Sequence, residues 1–183
     1  MSDEQLIELL RRGEHGAFET LAARYQQRLL RFCWRMLRSK EDAEDAMQDV
    51  FAAAFKAILA DGREICVRPW LFRIARNRCV DQLRRSPTVS VDSMDDFQAE
   101  SRTLLEGLEG RQRLRDLVRD LQALPDRQRT ALLLREVDGL TYNQIAIAMG
   151  TTLPGVKSLL VRAHRALTEG QEPQLYPAAV SAA

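Results

Sequence analysis

The sequence predicts an all-α protein: two small helical domains joined by a flexible acidic linker, the C-terminal one containing a helix-turn-helix. Three observations lead there. The chain is rich in Leu, Ala, Arg and Glu, and the alternation of β-branched residues that marks strands is almost absent. Apolar residues instead recur at helical spacing in blocks separated by capping residues, Gly and Pro. One stretch between about Ser86 and Glu100 is polar and acidic, with too few apolar residues to bury.

Ser2 with Gln5 has the spacing of a capping box for a first short helix, which Gly13 stops. Phe18, Leu21, Tyr25, Leu29, Phe32 and Met36 then keep helical period through a long amphipathic helix. Ser39 with Asp42 reads as the next cap, for a helix running to about Ala60 with Ala43, Met47, Val50, Ala54 and Ile58 facing inward. Asp61-Gly62 breaks it, a short loop carries Cys66, and Pro69 opens a helix from Trp70 to Arg85. Ser86-Pro87 closes this block. Helical pattern resumes from Leu104 to Leu124, and Pro125 starts a further helix that Gly139 ends. Thr141 suits the N-cap of a short helix Tyr142 to Met149, whose Ile145, Ala146 and Met149 share a face, and Gly150 can take the positive φ that ends it. Pro154 suits the first turn of the last helix, where Val156, Leu160, Ala163 and Leu167 pack inward and Lys157, Ser158, Arg162 and Arg165 stay outside. This yields a domain of residues 1–86, a linker of 87–110, a helix-turn-helix domain of 111–169 and a disordered tail of 170–183.

Formal net charge is only +1, which excludes a global polycation, but the charge is segregated. Arg68, Arg73, Arg76, Arg78, Arg84 and Arg85 form a basic block, and Asp92, Asp95, Asp96, Glu100, Glu106 and Glu109 make the connector acidic before a second basic block. That pattern suits a protein gripping nucleic acid at two places. Cys33, Cys66 and Cys79 are widely spaced, and neither His15 nor His164 completes a zinc spacing with them, so no metal site and no disulfide framework is expected. Cys79 falls with Leu71, Ala75 and Leu83, as a core residue would. The start Met1-Ser2-Asp3-Glu4 lacks a basic and then apolar run, and no apolar run approaches membrane-spanning length. A cytoplasmic protein with no membrane partner and no cofactor is expected. No Ser-His-Asp set, paired carboxylates or Gly-rich phosphate loop is found, which argues against an enzyme.

Two surfaces carry the functional reading besides the helix-turn-helix. Glu41, Asp45, Gln48 and Asp49 cluster opposite an apolar stripe. Such a face is by default solvated, and its functional alternative is docking on a basic partner. Arg73, Asn77 and Arg84 project to roughly one side of their helix with Arg76 beside them, where they could contact phosphates or bases. Trp70 reads most simply as a core anchor, with stacking on an unpaired base as the alternative.

The runs Asp42–Phe51, Trp70–Arg85 and Leu124–Leu167, in this order around a linker, resemble the extracytoplasmic-function (ECF, group 4) sigma factors of bacterial RNA polymerase, from Ala17 to Leu167. The resemblance implies a non-enzymatic factor that binds core RNA polymerase and promoter DNA, with an anti-sigma factor as a further partner that many members have. It implies that Asp45, Gln48 and Asp49 dock on the coiled coil of the largest polymerase subunit. Arg73, Arg76, Asn77, Arg84 and Arg85 match the segment that captures and melts the minus-10 element, and the loop Asp61 to Arg68 would read a flipped base. Lys157, Ser158 and Arg162 match minus-35 contacts. The chain departs from the family where a Gly-Thr pair and an Arg are common, having Pro154-Gly155 and Leu159 instead, and His164 stands where an Arg is frequent. Leu159 could meet a thymine methyl or pack inward. The rival reading is a stand-alone helix-turn-helix regulator, which explains Thr141–Leu167 but leaves the Trp70–Arg85 block idle.

Overall fold

Each helix begins where a side chain can take over an orphan amide. In the computed structural model, which describes residues 1–85 and 108–169, α1 (Asp3–Arg11) is opened by Ser2 and Gln5: the Gln5 amide donates to Ser2 Oγ at 3.3 Å and the Ser2 amide to Gln5 Oε1 at 2.8 Å. Gly13 then reverses the chain at φ 95°. α2 (Gly16–Leu37) ends at Arg38, the one non-glycine residue at positive φ among those described (φ 63°). Ser39 caps α3 (Lys40–Ala60), accepting from the Asp42 amide at 3.1 Å.

α4 (Val67–Arg85) starts earlier than the position of Pro69 suggests. Proline is tolerated throughout the first turn, where its missing N–H is an orphan anyway, so Pro69 sits third in the helix rather than opening it. α5 is Leu108–Ala123, beginning inside the stretch expected as connector; the rest of that expected flexible linker and the expected disordered tail lie outside the described residues. α6 (Asp126–Leu132) runs into a wider π-turn over Leu133–Val137, and Gly139 at φ 63° ends the segment. The helix-turn-helix follows: α7 (Tyr142–Met149), with the Thr141–Gln144 capping box and Gly150 at φ 59°, then α8 (Leu153–Glu169).

All eight helices of the described residues are α-helical apart from that π-turn, and no strand occurs among them. The first four bury one apolar stripe each: Leu6, Ile7 and Leu10 from α1, Leu21, Tyr25, Leu29, Phe32 and Met36 from α2, the five expected α3 residues with Ala46, and Leu71, Phe72, Ala75 and Cys79 from α4. Phe32 and Phe72 meet edge to face at 5.4 Å, locking α2 against α4. In the second half Ile145, Ala148 and Met149 of α7 join Val156, Leu159, Leu160 and Ala163 of α8 and Ala131 to Leu134. The two domains touch one another: α7 packs along α4, and Thr130 Oγ1 reaches Met36 Sδ at 3.6 Å. One continuous core spans both.

Candidate nucleic-acid and docking interfaces

The fold places the three predicted surfaces on three helices. On α3 the stripe Ala43, Ala46, Met47, Val50, Ala54 and Ile58 is buried, so Asp45, Gln48 and Asp49 are left exposed on the outer face beside Glu41. Asp42 does something else: its Oδ1 accepts from Gln82 Nε2 at 2.8 Å, tying the start of α3 to the end of α4. The acidic face is thus held at a fixed angle to the basic helix.

On α4, Arg73, Asn77, Arg84 and Arg85 are exposed as expected. Arg76 is not equivalent to them. It is half-buried, one Nη donates to Asn77 Oδ1 at 3.2 Å, and its guanidinium is held below its ordinary pKa by burial first and then by Arg127 and Arg84. Arg127 belongs to α6, so the second half reaches this part of the helix. Trp70 is half-buried and packs against the core, the simpler of its two readings. Cys79 is fully buried, and its thiol is pushed well up by the neighbouring Cys33 thiol and by burial, which makes it an inert packing group.

The loop between α3 and α4 has an anchor that periodicity could not reveal. Arg11 of α1 donates to the carbonyls of Ile58 at 3.3 Å, Asp61 at 2.7 Å and Arg63 at 2.8 Å, satisfying the open C-terminal end of α3 and pinning the loop. Asp61 turns the loop locally, accepting from the Arg63 amide at 3.1 Å and pairing with its guanidinium, which holds the exposed Asp61 carboxyl below the usual carboxylate range. The only sequence signal for Arg11 was a cation in the last turn of a short helix.

On α8, Lys157, Ser158, Arg162 and Arg165 are exposed, whereas Leu159 keeps only 7% of its surface. Of its two readings, inward packing is the one that holds: Leu159 lies at the edge of the stripe formed by Val156, Leu160 and Ala163. Val161 takes the outward place, 67% exposed between Lys157 and Arg165. Arg135 steadies the motif from behind, donating to the Leu140 carbonyl at 3.1 Å with its guanidinium 5.0 Å over the Tyr142 ring. His164 hydrogen-bonds the Leu160 carbonyl through Nδ1 at 2.8 Å and lies 3.9 Å from Glu136.

Between the halves sits a group the sequence reading did not single out. Asp138, at the end of the π-turn, is buried; its carbonyl accepts from the Arg68 guanidinium, while its Oδ2 has no hydrogen-bond partner among the described residues. Burial pushes its carboxyl up to about 6, against the opposing pull of Arg35, Arg68, Arg31 and Arg28.

Comparison with known proteins bears on both halves. The Sigma-70 region 2 family model matches residues 21–87, and the Sigma-70, region 4 model matches 114–167. The RNA polymerase sigma-H factor of Pseudomonas aeruginosa is 33% identical, over 94% of this chain and 95% of its own length. The ECF RNA polymerase sigma-E factor of Escherichia coli is also 33% identical, over 94% and 96%. Two solved structures share the fold: CnrH in complex with the cytosolic domain of CnrY (TM-score 0.72, 22% identity, 94% of this chain and 99% of that one), and RpoE of Bartonella quintana in complex with the anti-sigma factor NepR (TM-score 0.65, 24% identity, 86% and 98%). With two sigma-70 regions in order and this likeness along nearly its full length, the chain belongs to the ECF family of RNA polymerase sigma factors.

Proposed function

We propose that this sigma factor binds core RNA polymerase through the outer face of α3, opens the minus-10 element with α4 and holds the minus-35 element with α8. The observation that carries the docking assignment is the division of α3: one side buried, the other presenting Asp45, Gln48 and Asp49 to solvent. On α4, exposed Arg73, Asn77, Arg84 and Arg85 offer donors to phosphates and base edges, with half-buried Arg76 beside them. On α8, Lys157, Ser158 and Arg162 are free to meet a groove. The domain limits, residues 1–86 for polymerase docking and minus-10 opening and 111–169 for minus-35 recognition, are part of this reading.

The chemistry is binding rather than catalysis: interaction energy holds promoter DNA open while the polymerase makes RNA. No single helix among the described residues is long and apolar enough to cross a membrane. We place the protein in the cytoplasm, where polymerase and promoter are. A partner of the anti-sigma class fits as well, since RpoE of Bartonella quintana was solved with one. A stand-alone regulator is disfavoured, because the Sigma-70 region 2 model matches the first half and the relatives match along 94% of the chain.

The test is the double reversal Asp45→Lys/Asp49→Lys. Close charge pairs across an interface couple by about 1.5–7 kcal/mol, so core binding should fall at least tenfold. Both residues are exposed, so circular dichroism should not change. Undiminished co-purification with core polymerase refutes the assignment.

A further inference from the structure

The loop between α3 and α4 makes short-range bonds of its own. The Asp61 amide donates to the Ala57 carbonyl at 3.2 Å, the Arg63 amide to Asp61 Oδ1 at 3.1 Å and the Trp70 amide to the Cys66 carbonyl at 3.1 Å. None of these three sets where the loop stands against the rest of its domain. Ile65 and Val67 anchor its far side by packing, while Gly62, Arg63 and Glu64 at its apex are exposed. The near side is held by α1. Arg11 is half-buried at the end of that helix, and its guanidinium donates to the carbonyls of Ile58, Asp61 and Arg63, one from the last turn of α3 and two from the loop. Charge-assisted bonds from one rigid, planar fork fix direction as well as distance. α1 is itself braced. Its Leu6, Ile7 and Leu10 are buried, it packs on α2 and α3, and near its start Asp3 accepts from the Arg24 guanidinium and the Tyr25 hydroxyl of α2.

We propose that Arg11 is a positioning residue for the minus-10 element: from α1 it sets the stance of the loop that receives one unstacked base, and with it the choice of that base. The role rests on the reading of α4 as the minus-10 helix with the Asp61–Arg68 loop beside it. α4 opens directly after the loop, and Arg73 lies only about 9 Å along its axis, so a strand held by Arg73 runs past the loop. Contacts to phosphates position the strand, whereas contacts to base edges specify it. A base edge is read by hydrogen bonds whose working range is only about 0.5 Å wide. A loop free to shift by more than that still lies beside the strand but no longer tells one base from another. Loss of Arg11 therefore costs selectivity at one position and leaves the phosphate contacts of α4 in place.

Two readouts on the full chain test this, the first without promoter. Cys66 is exposed in the loop while Cys33 and Cys79 are buried, so a nitroxide attached to the native protein reports on the loop. Its lines should sharpen in Arg11→Ala and stay unchanged in Arg12→Ala, whose arginine pairs with Glu8 on its own helix. The second readout is the affinity of the unlabelled chain, bound to core polymerase, for single-stranded minus-10 oligonucleotides varied one base at a time. A base edge whose partner is left unpaired is disfavoured by about 5–150-fold. Wild type should discriminate to that degree at one or more positions, and Arg11→Ala should fall to under about threefold at one of them while the others hold. An Arg11 that merely stabilised the fold would weaken every oligonucleotide by the same factor. Should Arg11→Ala not fold, Arg11→Gln keeps part of the stem and donors for part of the carbonyls, and should show both changes in smaller degree. Unchanged nitroxide lines, or sharpened lines with base selectivity intact, overturn the proposal. A wild type that discriminates at no minus-10 position defeats the minus-10 reading itself, and the positioning role falls with it even where the lines sharpen.

Discussion

Leu159→Arg separates a structural from a recognition role at an α8 position where the resemblance leads one to expect an arginine and the chain has a leucine. Leu159 is 7% exposed and packs beside Val156, Leu160 and Ala163, which keep 0%, 4% and 0%. Burying a leucine side chain stabilises by about 1.5–3 kcal/mol. The position is at the edge of the stripe next to exposed Arg162, so an arginine there can keep part of its stem on the apolar surface and carry its head out to water. The net loss should be about 2 kcal/mol. For a chain of this length each kcal/mol moves Tm by about 2–4 °C, so thermal unfolding followed by circular dichroism should fall by about 4–8 °C.

Two controls fix the interpretation. Leu159→Met conserves volume and should cost under about 1.5 kcal/mol, whereas Val161→Arg, at a site 67% exposed, should leave stability within about 0.5 kcal/mol. Affinities for single-base variants of the minus-35 element supply the second readout. An arginine reaching a base edge adds about 1–3 kcal/mol of discrimination at one position. Leu159→Arg should add none. An unshifted Tm together with a new single-base preference would refute the packing assignment and return Leu159 to the groove.

Replacing Arg73, Asn77 and Arg84 with Ala should lower permanganate reactivity of promoter thymines more than it lowers core binding; equal loss of both would mean these residues only hold the fold. Lys157→Ala and Arg162→Ala should weaken minus-35 binding almost evenly across base variants and reduce the salt slope by about one each, as phosphate contacts do. Steep losses confined to one base would show direct readout instead. Burial pushes the Asp138 carboxyl up to about 6, above its value in the unfolded chain, so the folded form binds that proton more tightly. The stability this gives is complete below about pH 4 and is lost as the pH rises through about 6, at most about 3 kcal/mol for a shift of about two units. Thermal unfolding at pH 5 and pH 8 should show part of that loss in wild type and none of it in Asp138→Asn.

Much of this fold was legible in sequence because its determinants are local. A capping box needs two residues three apart, and Ser2–Gln5 and Thr141–Gln144 both form as the spacing implies. All five residues expected in the apolar stripe of α3 are buried, with Ala46 in addition, and the acidic residues fall on the other side. The junction was not legible, because it joins positions far apart in the chain whose individual patterns were already accounted for. Arg68 belonged to a basic block and Asp138 to the end of a helix; nothing in either neighbourhood says they meet. Arg76 lies beside Arg73 as helical angle implies, but its partial burial and the nearby charge of Arg127 come from packing that no local pattern shows. Arg11 escaped notice because capping a distant helix end leaves no periodic trace.

The position of Arg76 matters because the energetics of opening DNA leave little margin. Unstacking duplex costs about 1.4 kcal/mol per base step on average, so an opening of about five steps costs about 7 kcal/mol. Hydrogen bonds to charged groups contribute about 1.5–3 kcal/mol each, and stacking one flipped base adds about 1–3. Arg73, Arg84 and Arg85 alone, at the lower figure, do not reach the cost of opening. Arg76, with a base held by the loop that Arg11 pins, brings the sum level with it.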